Sequence, residues 1–261
     1  DTPVLRPFVT VELDSVLYLR EEIVGKRSKT ATAILHNHTF VGCFDTHLAL
    51  IQHNTSLLVI EVPIISKDFM YQIALYGFSN FGVIPLDPGL SVFELLSIGL
   101  EQCKDEFKSL IEERGREIIV KEARELLVGM RLMLEEYFSI LIDEEGTLTG
   151  IPVFIPGYMP NAQKLAIFLA ELGLKVDYSE ERECFRDIAN VLSDFYSFTG
   201  IGDDQTEAEY YHCVEHFLFA ELSHSIGLSE WIEMQKPGST GSPCIREIAN
   251  LQELYKIFER C

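Results

Sequence analysis

The sequence predicts an α/β (α+β) fold, a sheet flanked by helices, and three observations lead to it. His36 to Val62, HNHTFVGCFDTHLALIQHNTSLLVIEV, reads as a three-strand meander. Long stretches on both sides repeat apolar residues every three or four positions, the spacing of one helix face. Apolar residues make up 47% of 261 residues, enough to bury a full core in one large domain or two lobes.

In the meander, Thr39–Phe44 and Leu57–Val62 look apolar on both faces, as strands in a covered sheet must be. The middle strand, Leu48–His53, is interrupted by the polar pair Gln52-His53. Asp45-Thr46 and Asn54-Thr55-Ser56 supply turn chemistry, because short oxygen-bearing side chains replace lost ladder bonds with local ones.

Residues 1 to about 12, with two prolines and no periodicity, read as the end of a linker, and a start without Met reads as a piece of something longer. Val16, Leu19 and Ile23 mark an amphipathic helix over Ser15–Arg27, and Ala31–Leu35 a short second one. After the sheet, Ser66 is placed to cap a helix carrying Phe69, Ile73 and Tyr76, with Gly77 and Gly82 bracketing its end. Phe81–Leu86 suggests a strand, and Pro85, Pro88 and Gly89 a lobe boundary. Ser91–Phe138 is helical, with Ile119, Ala123, Leu126, Met130, Met133 and Tyr137 expected inside, and Glu112–Arg116 and Glu117–Lys121 as ion pairs. A hairpin around Glu144-Glu145-Gly146 follows, then helices over Asn161–Leu174, Ser179–Phe198 and Glu207 towards Leu222. Loops are expected at Thr199–Thr206 and Lys236–Ser242, and a closing helix through Ile248, Leu251, Tyr255 and Phe258.

The net charge of −20 repels phosphate backbones, so no strong direct DNA binding is expected. The same acidity suits partners with basic segments, or simply keeps the chain soluble. The six cysteines form no CxxC pair and read as reduced thiols. No apolar run reaches the roughly 18 residues of a membrane helix and no signal-peptide pattern is visible, which suggests the cytoplasm or nucleus and no membrane partner.

Three features could carry chemistry. His212-Cys213-Val214-Glu215-His216 has the HxxEH spacing of one class of zinc peptidases, in which two imidazoles on one helix face hold zinc and the glutamate activates water. The plain alternative is a surface helix with two histidines. His36-Asn37-His38 spells a nuclease motif whose residues should be spread over a longer unit, so hydrogen bonds that support the strand start are expected instead. Cys261, the last residue, joins a thiolate to an α-carboxylate, a donor pair suited to zinc if another protein supplies the remaining ligands. No phosphate loop and no nucleophile elbow is present.

Several blocks in order, HNHTFVGC, the IQH strand, FMYQIALYGFSNFGV, YFSILIDEEGTLTGIP, VDYSEERECF and the ending IANLQELYKIFERC, resemble the C-terminal domain of the eukaryotic MutL homologue one family of DNA mismatch repair proteins. The resemblance covers roughly residues 12 to 261. It implies a MutL C-terminal dimerisation fold, with a dimerisation lobe over 13–83 and 158–261 and an external lobe over 84–157. It also implies a nuclear scaffold without activity of its own, the family's ATPase lying in a different domain. The implied partner is a PMS-type MutL homologue, and an apolar interface lacking its partner is open to homodimer formation.

PMS-type partners carry the endonuclease motif DQHAxxExxxxE. Aligned with it, this chain has Ile51 for the aspartate, keeps Gln52 and His53, and has Asn54, Leu57 and Val62 for the alanine and the two glutamates. Carboxylate loss removes the hard donors divalent metals need, so no cofactor is expected on this chain alone. By the resemblance, Cys261 is a ligand in trans to the partner's metal site, sharing zinc with it, and Leu251, Leu254, Tyr255 and Phe258 lie at the dimer interface. Glu181 matches an acidic position of a pocket that docks basic-aromatic peptides of repair proteins such as exonuclease one. The ending departs from the family in reading LQEL where LPDL is frequent.

Overall fold

The computed structural model describes residues 8–202, 205–224, 227–230 and 244–252. In chain order the elements are α1 (Asp14–Gly25), β1 (Arg27–Ser28), α2 (Lys29–His36), β2 (Thr39–Cys43), β3 (Leu48–His53), β4 (Ser56–Glu61) and α3 (Val62–Tyr76). Next come β5 (Gly82–Ser91), α4 (Val92–Gln102), α5 (Lys108–Arg114), α6 (Arg116–Gly129), α7 (Arg131–Phe138), β6 (Leu141–Ile142) and β7 (Thr147–Val153). The chain continues through α8 (Leu165–Leu174), α9 (Glu181–Tyr196), α10 (Glu207–Cys213), a π-helical turn (Val214–Phe219), α11 (Ala220–Leu222), β8 (Leu228–Ser229) and β9 (Ile245–Asn250). Helices and antiparallel sheets in one chain give the mixed α/β class the sequence predicts.

Packing divides the chain into two units, residues 1–20 with 73–196 and residues 21–72 with 197–261. This division differs from the expected lobes, because α8 packs with α4 and α6, and α9 packs with α8.

In the first unit, β5, β7 and β6 form an antiparallel sheet with β7 in the centre. Helix α4 crosses α8 at Gly99, where a Cβ would stand 2.0 Å from the Ala166 carbonyl oxygen, so only glycine allows the approach. A buried row of rings runs Phe81, Phe154, Tyr196, Phe195, Phe168, with stacked pairs 4.1–5.1 Å apart and an edge-on contact between Phe195 and Tyr196. Arg20 of α1 donates to the Leu75 carbonyl at 2.9 and 3.0 Å and lies 5.2 Å from the Tyr76 ring, closing the C-terminal end of α3 where carbonyls lack helical partners.

Several expectations are corrected here. Pro85, Pro88 and Gly89 are not a boundary but part of β5, an edge strand in which prolines cost no inner ladder bond. Ser91–Phe138 is four helices, and the interruptions shift the buried stripe to Ile119, Val120, Ala123, Leu127, Leu134 and Phe138. Glu112 and Arg116 fall on different helices across Gly115, whose φ of 81° breaks the run. Arg116 pairs with Glu101 at 2.5 Å and Lys121 with Glu125 at 3.9 Å. Ser179 does not cap α9; its hydroxyl donates to Asp177 at 2.6 Å.

The second unit is built on a four-stranded antiparallel sheet in the order β2-β3-β4-β9. The expectation of a three-strand meander misses β9, which pairs with β4 and places Ile248 on a strand instead of a closing helix. Nor are the two faces of the sheet equally buried. Ala49, Ile51, Leu58 and Ile60 are buried, whereas Leu48, Leu50, Leu57 and Val59 are half-buried, the alternation of a one-sided sheet. Val62 begins α3 instead of ending a strand. Ser66 lies inside α3, its hydroxyl donating to the Pro63 carbonyl and accepting from the Phe198 N–H.

A buried polar knot ties β8 to α3 and α2. Asp68 accepts from the Ser229 hydroxyl (2.5 Å) and N–H (3.2 Å) and from the Gln72 amide (3.0 Å). The Leu228 N–H donates to the Thr32 hydroxyl at 3.1 Å. Burial pushes the Asp68 carboxyl above its ordinary range, and the three hydrogen bonds oppose that shift.

The expected support of the strand start is present. His38 Nδ1 lies 2.5 Å from the Leu35 carbonyl with its ring edge-on to Phe219 at 5.3 Å, and His53 Nδ1 lies 3.3 Å from the Asn37 carbonyl. Burial holds the His38 pKa below the ordinary 6.5, and the nearby His53 adds to that effect. The unfolded chain therefore binds the proton first as pH falls, so the contribution of His38 is complete above 6.5 and is lost as pH drops through the folded-state value. His38→Phe, which keeps a ring against Phe219, is expected to lessen the decline of the urea midpoint between about pH 7 and 5 relative to the parent. Equal slopes in the two proteins would overturn this account of His38.

Candidate functional site

The strongest candidate surface is the open face of the four-stranded sheet. Cross-strand partners share a face, so the pairings Leu48↔Glu61, Leu50↔Val59, Gln52↔Leu57, Leu57↔Ala249 and Val59↔Arg246 gather Leu48, Leu50, Leu57, Val59 and Ala249, with Gln52, Glu61 and Arg246 among them, on the side opposite the buried residues. Each edge strand contributes a bulged residue skipped by the pairing register, Val41 on β2 and Ile248 on β9, and these are 53% and 48% exposed. Phe44, at the end of β2, is 71% exposed. A half-open apolar sheet face flanked by exposed aliphatic residues is chemistry for burying protein surface rather than for holding a small molecule.

The positions aligned with the endonuclease motif cross this same sheet. Ile51 is fully buried on the closed face, and Val62 is buried at the first turn of α3. Gln52 is exposed and its amide donates to the Asn54 carbonyl at 3.1 Å; Leu57, opposite it, is half-buried. His53 stands at the end of β3. Among the described residues no group of three or more His, Cys, Asp or Glu is placed to hold a metal ion.

Of the interface residues inferred from the resemblance, Leu251 follows β9 and is 46% exposed. Leu254, Tyr255, Phe258 and Cys261 lie outside the described residues. The other five cysteines are free thiols, and burial raises Cys43 and Cys244 to about 11 and Cys184 to about 12.

Glu181 opens α9 in the first unit and accepts from the Ser15 hydroxyl of α1 at 2.5 Å. Beside it the Arg182 guanidinium lies 4.9 Å over the Tyr18 ring. Glu136 and Glu181 both add to the rise of the Tyr137 phenol pKa, which desolvation dominates. Tyr137 stacks on buried Phe78 at 4.8 Å and meets Phe185 edge-on at 5.5 Å. An acidic rim beside an aromatic cluster is therefore a feature of this unit, and the sequence pointed only to its Glu181 member.

The HxxEH residues are exposed, His212 in the last turn of α10 and Glu215 and His216 on the π-helical turn that follows. His212 and His216 lie side by side with ring centroids 4.2 Å apart. The Glu215 charge instead acts on Cys43, where it helps raise the thiol, and no third donor joins the histidines among the described residues. Two imidazoles without a third donor among the described residues fall short of the three protein ligands of a hydrolytic zinc site.

Sequence reasoning missed β9 and its exposed Ile248, because Ile-Arg-Glu-Ile-Ala-Asn has no strict alternation and its partner strand is distant in sequence. The bulge itself could have been suspected only from that broken alternation.

No described helix is long and apolar enough to cross a membrane. The family model of the DNA mismatch repair protein Mlh1 C-terminus matches residues 12–261. The chain is 30% identical over 259 residues to a putative MutL protein homolog 1 of Schizosaccharomyces pombe, an alignment covering 97% of this chain and 35% of that protein. It is 30% identical to the DNA mismatch repair protein Mlh1 of Dictyostelium discoideum, covering 98% of this chain and 30% of the relative. Against the DNA mismatch repair protein MLH1 of Saccharomyces cerevisiae the identity is 30%, covering 97% and 34%. The chain thus spans about a third of the length of these relatives. A family match over nearly every residue, joined to a mixed fold with an open apolar sheet face, shows that the chain belongs to the Mlh1 C-terminal family of DNA mismatch repair proteins.

Proposed function

We propose that this chain is a dimerisation and docking module of nuclear DNA mismatch repair, pairing with a PMS-type MutL homologue and performing no hydrolysis by itself. The observation that carries the reading is the half-open apolar sheet face with Leu48, Leu50, Leu57 and Val59. Removing such surface from water contributes about 25 cal/mol per Å² and needs a partner of matching shape. Without that partner the same face is available to a second copy of this chain. Family membership supports the repair role, and the net charge of −20 argues against strong DNA affinity in this polypeptide alone.

The positions aligned with the partner's endonuclease motif hold Ile51, Leu57 and Val62, apolar residues that do not fit hard divalent metals. The motif is degenerate in this reading, and the chain contributes to the partner's metal site through Cys261, whose thiolate and carboxylate reach that site and share its zinc. Leu251, Leu254, Tyr255 and Phe258 anchor that terminus at the interface. In the first unit, Glu181, Glu136 and the Tyr137–Phe78–Phe185 cluster offer an acidic rim and an aromatic wall to basic-aromatic peptides of repair proteins such as exonuclease one.

Leu57→Asp and Val59→Asp are each expected to weaken the complex with a PMS-type C-terminal domain by about 2 kcal/mol or more in sedimentation titrations, with far-UV dichroism unchanged. Full-strength association of both folded variants would remove the sheet face from the interface. Deleting Cys261 is expected to leave the heterodimer intact and to lower manganese-dependent nicking of supercoiled plasmid by the complex. Undiminished nicking would make the terminal thiol idle. Glu181→Lys should weaken a fluorescent basic-aromatic peptide by about 1.5 kcal/mol, roughly tenfold, in anisotropy titrations, and an unchanged Kd would place the peptide elsewhere.

A further inference from the structure

We propose that His212 and His216 form a bidentate surface site for a divalent transition metal ion of the nickel and zinc type, separate from any metal shared with a partner. The two imidazoles are four residues apart, exposed, and tilted by 53° with centroids 4.2 Å apart, so they stand side by side at the surface. Among the described residues neither imidazole has a hydrogen-bond partner, which leaves their ring nitrogens available as donors. Imidazole is a preferred ligand for zinc, copper and nickel, and water completes a coordination shell begun by two side chains.

The platform beneath the pair is fixed before any ion arrives. Thr206 and Glu209 close a reciprocal capping box at the start of α10. Buried Tyr210 donates its hydroxyl to the Thr46 carbonyl at 2.8 Å, with the Phe198 carbonyl at 3.3 Å. In the π-helical turn, Val214, Leu218 and Phe219 are buried, and Phe219 meets Phe40 at 4.9 Å and His38 at 5.3 Å. With Val214 and Leu218 inside, His212 and His216 are left on the solvent side. The strongly negative chain also concentrates cations around itself.

The test is titration of Ni²⁺ alone into the intact chain, followed by calorimetry and by the melting temperature. One ion per chain is expected, with a melting temperature that rises with ion concentration. His212→Gln and His216→Gln should each lower the affinity by at least about tenfold, since even outer-shell partners are worth about 10–100-fold, and should leave the ion-free melting temperature unchanged. His36→Gln and Cys261→Ser should keep the parent affinity. Absence of one-to-one binding, or binding undiminished in both the His212 and His216 variants, would overturn the site.

Discussion

The second unit depends on the pairing of β4 with β9. β4 is an inner strand, holding β3 by a tight turn on one side and, on the other, a strand whose residues lie up to 194 positions away in the chain. Closing so long a loop costs little more than closing a moderate one, because the entropic cost grows only with the logarithm of its length. The return is large: the backbone groups of an apolar strand gain partners, and the C-terminal part of the chain is brought to the sheet that offers the open apolar face. The bulge opposite Leu57 and Leu58 then sets Ile248 outside the ladder.

The buried polar knot around Asp68 serves the same closure in another way. A carboxylate this deep would be unfavourable without its three donors, so the position of Ser229 is specified by hydrogen bonds as well as by packing. The side-chain oxygen of Gln72 is buried without a partner among the described residues, while its amide is shared between Asp68 and the Gly227 carbonyl. Such a network discriminates against misplacement of β8, since a shifted strand would strand several polar groups at once.

Three surfaces stand out among the described residues. The half-open sheet face sets aliphatic residues beside Gln52, Glu61 and Arg246, the Glu181 rim is acidic with aromatic backing, and the histidine pair is polar and exposed. Each lies on elements whose opposite side is well buried, as a binding surface on a rigid support requires. Surfaces of this kind leave a faint mark in sequence because their residues differ from core residues only in what covers them. Leu50 and Ile51 are adjacent and chemically similar, yet one is half-buried and the other fully buried.

The sequence by itself determined the mixed class, the helices led by Val16 and Leu19, the β3–β4 hairpin with its Asn54 turn, and the family, because these rest on local periodicity, turn chemistry and motif order. It also singled out Glu181 and the His212–His216 spacing as residues to watch. Tertiary structure alone decided that β9 completes the sheet, that Ser66 lies inside a helix, that Pro85 and Pro88 belong to an edge strand, and that one face of an apolar sheet stays open. Those outcomes follow from pairings and coverings between segments far apart in the chain. Hydrophobicity sets which residues avoid water, whereas distant neighbours set which of them succeed.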